Sequence, residues 1–289
     1  MAVQLSDRAL CPTSGAKVAV LHIGTHKTAT TSLQSMMAVN AAHFAGQGLC
    51  YPSCCRSADG HHNLAWELNS DERYRSSAGS LADLARELKV RQADAVLLSS
   101  EDFEYLYRKP HRLLQLRETL EALGYGVEVV VALRRPSDYV ESLYCELRKH
   151  GLEGLLDDFA AEALAGGGLT FRGWDFRLDY QRLVASFAGC FGPEATHVLR
   201  YEESEFVGLL AGAVGELLGL DLTAVPGWPR LNQRQLPPGR GESDGAAPEP
   251  IPPSDRTRIS LTGVERHAID EAFAGAIDVL CSRYPALPL

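Results

Sequence analysis

The chain has 289 residues, 45% hydrophobic and 22% charged, a balance that suits a buried core and excludes disordered, collagen-like and coiled-coil proteins. Its 28 basic and 37 acidic residues give a formal net charge of −9, with only Lys17, Lys27, Lys89, Lys109 and Lys149 as lysines, so no surface for nucleic acid or another polyanion is expected. The seven cysteines, Cys11, Cys50, Cys54, Cys55, Cys145, Cys190 and Cys281, show neither CxxC spacing nor a Cys/His cluster; reduced thiols, a cytoplasmic setting and no structural metal are expected.

No basic-then-apolar leader opens the sequence and no run of about 18 apolar residues occurs, so no membrane partner is expected. Lys17 to Gly24 (KVAVLHIG) reads as a buried strand that breaks into a tight loop. Leu33, Met36, Met37, Ala41 and Phe44 follow at helical spacing. The adjacent Cys54 and Cys55 read as loop thiols, and His61-His62 precede a helix. Further strands are predicted over Ala95 to Ser99, Val127 to Leu133 and His197 to Tyr201, and helices over Leu81 to Leu88, Leu113 to Leu123, Val140 to Leu147 and Val207 to Leu218. Ala165 to Phe176 (AGGGLTFRGWDF) reads as a surface loop. Asn232 to Asp255 is Pro/Gly-rich and acidic and reads as a mobile loop. A last helix is predicted over Thr262 to Tyr284, with Ile269, Phe273, Ile277 and Leu280 on its inner face. The alternation predicts an α/β protein, a parallel β-sheet flanked by helices in a single domain spanning 1–289, with its ligand at the carboxyl ends of the strands.

The polar text collects there. Between strand and helix, Gly24-Thr25-His26-Lys27-Thr28-Ala29-Thr30-Thr31-Ser32 offers helix-terminal N–H groups, one lysine and five hydroxyls within eight residues, which is an anion cradle or, more plainly, a polar capped turn. It is not a Walker A loop, because no Gly precedes Lys27, which follows Gly24 by three positions. A second segment, Val129 to Tyr144, delivers Arg134 at the end of a strand. Pro136 suits the first position of the next helix, and Ser142 lies about two turns into it. Arg134 and Ser142 suit one phosphate, the guanidinium by charge and fork geometry and the hydroxyl as a neutral donor.

Together these segments resemble the sulfotransferases that use 3'-phosphoadenosine 5'-phosphosulfate (PAPS), whose fold is a P-loop-kinase-like parallel sheet. Lys27-Thr28-Ala29-Thr30-Thr31 is similar to the family's short loop for the 5'-phosphosulfate, with Ala29 where Gly is usual. Arg134, Pro136 and Ser142 are similar to its Arg-x-Pro…Ser segment for the 3'-phosphate, and Leu199 to Glu203 is similar to a strand that follows. The resemblance covers roughly residues 17–205. It implies PAPS as cofactor, 3'-phosphoadenosine 5'-phosphate (PAP) as product, Lys27 on the leaving oxygen, and His26, Thr28, Ala29, Thr30, Thr31 and Ser32 around the 5' end. It also implies a general base at the end of a neighbouring strand, for which Glu101 and His62 both stand; His26 is expected to orient the loop.

The acidic balance points to a small-molecule acceptor, with Trp66, Phe103, Tyr105, Tyr107, Phe171 and Trp174 as candidate linings. The Arg- and Ala-rich, Lys-poor composition suits a bacterial enzyme of secondary metabolism. Two other readings stay open: an ATP-dependent small-molecule kinase of related fold, and a nucleotide-binding relative without catalysis. Arg234 and Arg240 in the predicted mobile loop are candidates to close over a phosphate.

Overall fold

The computed structural model describes residues 17–201, 206–225 and 258–273, together with 275, 279, 280 and 283. The whole of the predicted mobile loop, with Arg234 and Arg240, and parts of the predicted C-terminal helix lie outside the described residues.

A five-stranded parallel sheet has the order β2-β3-β1-β4-β7, formed by β1 (Lys17–His22), β2 (Leu49–Cys50), β3 (Ala95–Ser99), β4 (Tyr125–Leu133) and β7 (Thr196–Arg200). The architecture is α/β as predicted. β1 is central, pairing Val18 to His22 with Ala95 to Ser99 and Lys17 to His22 with Tyr125 to Val130. Because the chain fills the β3 side first and then crosses to β4, the crevice beyond the ends of β1, β3 and β4 is a switch point, where α/β sheets bind ligands.

Successive strand residues face opposite layers. Ala19, Leu21 and Ile23 pack with Val96, Leu98, Val129 and Val131 against α4 (Leu81–Arg91), α5 (Pro110–Glu121) and α8 (Tyr180–Phe191). Val20, Leu97, Val130 and Ala132 pack on the other side against α1 (Thr30–Val39), α2 (Ala41–Ala45) and α9 (Phe206–Leu218). Near-continuous apolar strands are what a sheet covered on both faces requires. Ser80 and Asp83 form a capping box that starts α4, and Pro110 and Pro136 stand in the first turns of α5 and α6 (Pro136–Lys149).

A third apolar cluster joins α6, α7 (Leu156–Gly166), α10 (Gly263–Ala272) and a two-stranded hairpin, β5 (Gly168–Phe171) with β6 (Trp174–Arg177). The hairpin corrects the surface-loop expectation for Ala165 to Phe176. Leu169 and Phe176 are buried, and the two-residue turn Arg172-Gly173 has positive φ at both positions, 48° and 85°, as hairpins of this length prefer. Arg is an unusual residue for that turn, and this conceals the hairpin in the sequence. The short helix α3 (His62–Asn69) follows β2, and a 3-10 helix over Glu101–Arg108 follows β3 directly; these bring their side chains to the sheet's carboxyl edge. Among the described residues no helix is long and apolar enough to cross a membrane.

Candidate active site

The loop after β1 is stitched to β4 by backbone hydrogen bonds: Thr25 N–H donates to Ala132 O (2.9 Å) and Ala132 N–H to Gly24 O (2.6 Å). Gly24 has φ +91°, and a Cβ there would sit 2.9 Å from both Cα and Cβ of Glu101, so only glycine lets the loop pass the end of β3. Thr28, expected among the phosphate donors, is buried and its hydroxyl donates to Thr25 O at 2.6 Å; in this arrangement it closes the loop on itself. Lys27 and Ala29 are left-handed, with φ of 61° and 56°. Ala29 therefore occupies a position where glycine is preferred, at a cost of about 1–2 kcal/mol. α1 begins at Thr30, so its first-turn N–H groups lie at the loop, that of Ser32 donating to Ala29 O at 3.1 Å. Thr31 is exposed there, while Thr30 and Ser32 are buried.

The second predicted segment meets the first. Arg134 Nη1 donates to Lys27 O at 2.8 Å and stands 3.4 Å from Ser142 Oγ, eight residues on. The guanidinium also lies over the Tyr201 ring, 4.7 Å from its centroid. Its Nε is buried and without a hydrogen-bond partner, so the arginine keeps capacity for an anion. Lys27 Nζ donates to Glu146 Oε2 at 3.0 Å.

The opposite wall is a network of buried charge. His26 Nδ1 is 2.6 Å from Glu104 Oε1, and its Nε2 faces Asp102 Oδ1 (3.5 Å) and the Tyr105 hydroxyl (3.3 Å). Burial by itself lowers the His26 pKa, but Glu104 and Asp102 overcome it and raise the value to about 10, so the imidazolium is fixed. With both ring nitrogens facing acids and the ring protonated, His26 has no nitrogen open to take a further proton. Burial raises the Glu104 carboxyl above its ordinary value, and the neighbouring His26 charge offsets this only in part.

Asp102 also accepts from Trp66 Nε1 (2.7 Å) and Arg73 Nη2 (3.4 Å). Against the burial that would raise it, His26 and His62, with Arg73, hold its carboxyl far below the usual range. The two adjacent histidines diverge. His61 is fully buried between Pro52 O and Ser99 N–H, and burial lowers its pKa to about 3. His62 turns to the crevice, with Nδ1 2.9 Å from Ser100 Oγ, 3.5 Å from Asp102 Oδ2 and 3.9 Å from Glu101 Oε2. Burial disfavours its charge, but Asp102 and Glu101 raise its pKa.

Glu101 Oε2 accepts from Gln34 Nε2 at 3.0 Å. Burial would raise its pKa, and the His62 and His26 charges lower it overall. Glu101 is therefore a carboxylate at neutral pH, and its negative charge in turn favours the protonated form of His62.

Aromatic side chains extend this wall. Arg73 lies between Trp66 and Trp174, 4.9 and 5.2 Å from their rings, and Phe171 and Phe176 flank Trp174. Phe176 also meets His26 edge-on at 5.2 Å. Phe103 and Tyr107, expected at the mouth, instead pack into the core, with Tyr107 donating to Asp175 at 2.7 Å. Trp66, Tyr105, Phe171 and Trp174 are the members of that set at the site. Gln34, Arg73, Asp102, Glu104, Glu146 and Phe176 join it without having stood out in the sequence. Only Asp102 and Glu104 carried a local signal, as acidic neighbours of Glu101.

No family model matches the chain, and no curated protein does. Among solved structures it is similar to the crystal structure of a sulfotransferase from Alicyclobacillus acidocaldarius, with a TM-score of 0.52 at 16% identity over 92% of this chain and 95% of that one. The likeness covers nearly the whole of both chains, and it is a likeness of fold: both share a parallel sheet with helices on its faces.

Proposed function

We propose that the chain is a PAPS-dependent sulfotransferase acting on a hydroxyl or amine of a small molecule. The observation that carries this reading is the convergence of Arg134, Ser142 and Lys27 at the ends of β1 and β4. Arg134 is anchored to the phosphate loop through Lys27 O yet retains an unpartnered Nε and a nearby hydroxyl. A guanidinium and a serine eight residues on fit a phosphate monoester, and the left-handed loop with α1 behind it fits a second anionic group.

When bound, PAPS supplies the sulfuryl group and leaves as PAP. Lys27 neutralises charge that develops on the departing oxygen, which is the main demand of in-line transfer of this kind. Glu101 accepts the acceptor's proton on a carboxylate oxygen, and His62 keeps that carboxylate ionised and oriented. The indoles of Trp66 and Trp174 bound the acceptor side, where apolar surface orients a small molecule.

The kinase reading asks for a carboxylate at the end of β3 open to Mg²⁺. Asp102 stands there, but it is engaged with Trp66, Arg73, His26 and His62. A thermal-shift comparison separates the readings: stabilisation by PAP and not by ATP with Mg²⁺ is expected, and the reverse pattern would sink the proposal. PAP binding with no transfer to any acceptor in a broad panel would leave a nucleotide-binding protein without catalysis.

A further inference from the structure

Glu146 is the acid that meets Lys27, and nothing in the proposed transfer uses it. It lies one helical turn beyond Ser142 on α6, on the same helix face. Its Oε2 takes the Lys27 ammonium at 3.0 Å and the Lys149 ammonium at 2.8 Å, and its Oε1 lies 3.5 Å from His150 Nε2. Burial would raise its carboxyl, but Lys149 and Lys27 hold it down to about 2, so it stays anionic wherever the protein is folded. Lys27 and Glu146 are each about one-third exposed, 31% by side chain. The pair is therefore weak enough to exchange.

We propose that Glu146 is a built-in competitor for the 5' anion of the nucleotide: it holds the Lys27 ammonium while the loop is empty and takes it back as the product leaves. The inference rests on the sulfotransferase reading of the loop. Its geometry is specific to one end of the ligand. Lys27 has one ammonium, whose charge Glu146 Oε2 and a 5'-phosphate would have to share, whereas the hydrogen bonds of Arg134 and Ser142 run to Lys27 O and to each other. The competition thus acts at the 5' group and leaves the 3'-phosphate contacts alone. It also gives the cost of releasing Lys27 to binding and returns it on dissociation, which shortens the residence of PAP.

The test is a binding measurement on the whole chain, by calorimetry and stopped-flow at fixed salt, with PAP and with adenosine 3'-monophosphate, which lacks the 5' group. Glu146→Gln keeps shape and hydrogen bonding but removes the charge. It is expected to bind PAP about two- to fivefold more tightly, through slower dissociation, with adenosine 3'-monophosphate unchanged. In a Lys27→Met background the same substitution is expected to give no gain, because the competition runs through that ammonium. Three results would overturn the proposal: unchanged PAP affinity in Glu146→Gln, equal tightening toward both nucleotides, or a gain that persists without Lys27. The last two would mark a long-range charge effect. Failure of the wild-type chain to bind PAP at all is a different outcome, and it would remove the sulfotransferase reading together with the competitor.

Discussion

The two sides of the crevice are built in opposite ways. The loop and α6 side is made of two strand-to-helix junctions, and it presents backbone N–H groups, one lysine, one arginine and hydroxyls whose spacing along the chain is short. The α3 and 3-10 side gathers acids and cations, the buried Asp102 and Glu104 with the half-buried Glu101, His26, His62 and Arg73, that neutralise one another across long sequence separations. One side waits for external anions, apart from the Glu146 carboxylate; the other is already satisfied internally. On the proposed reading, the first side fixes which nucleotide binds, and the second fixes protonation and the acceptor.

The sharpest way to break the comparison is to change chemistry on the second side without touching binding on the first. Glu101→Gln is expected to lower turnover by about 10² to 10⁴ with PAP affinity nearly unchanged. His62→Ala is expected to cost less, since it removes the cation that keeps the carboxylate ionised. Steady-state kinetics beside calorimetry check both. Near-normal turnover in Glu101→Gln with loss in His62→Ala would make the histidine the base, and insensitivity of both would mean an acceptor acidic enough to need none.

A second break targets stability. His26→Asn leaves Glu104 buried without its cation and is expected to destabilise the fold by about 3–5 kcal/mol in denaturant unfolding near neutral pH. The pH dependence has a fixed sign. A pKa raised from 6.5 to about 10 contributes stability that is fully present below 6.5 and is lost as pH rises through 10. The gap between wild type and variant should therefore narrow on the alkaline side, and a constant gap would refute the fixed imidazolium.

The smallest effect concerns the loop backbone. Ala29→Gly is expected to stabilise the chain by about 0.5–1 kcal/mol, because it relieves a left-handed alanine at the start of α1. A melting temperature that stays level or falls would show that the loop relaxes around alanine.

The contrast also sets what the sequence could reveal. β1, β3, β4 and β7 are apolar runs long enough to read directly, and the residues of the two strand-to-helix junctions sit at short fixed spacings, so Lys27, Arg134 and Ser142 stand out from the amino-acid order alone. β2 has two residues, too few for a pattern. Asp102, Glu104 and Arg73 are ordinary surface-type residues in the text; the burial of the two acids and their meeting with Arg73 and the histidines appear only when the chain folds α3 and the 3-10 helix together. Glu146 reads as one more charge on an amphipathic helix, and its meeting with Lys27, 119 positions away, is a product of the sheet order.

The central claim is that Arg134 recognises a 3'-phosphate, and one titration tests it most directly. Wild type and Arg134→Ala are compared by calorimetry with PAP and with adenosine 5'-monophosphate, which lacks the 3' group. Wild type is expected to prefer PAP strongly, and Arg134→Ala to lose about 10- to 100-fold of its affinity for PAP alone, the worth of one charge-assisted contact of about 1.5–3 kcal/mol. Ser142→Ala should shift the same quantity less. Equal binding of the two nucleotides by wild type, or unchanged PAP affinity in Arg134→Ala, would contradict the account.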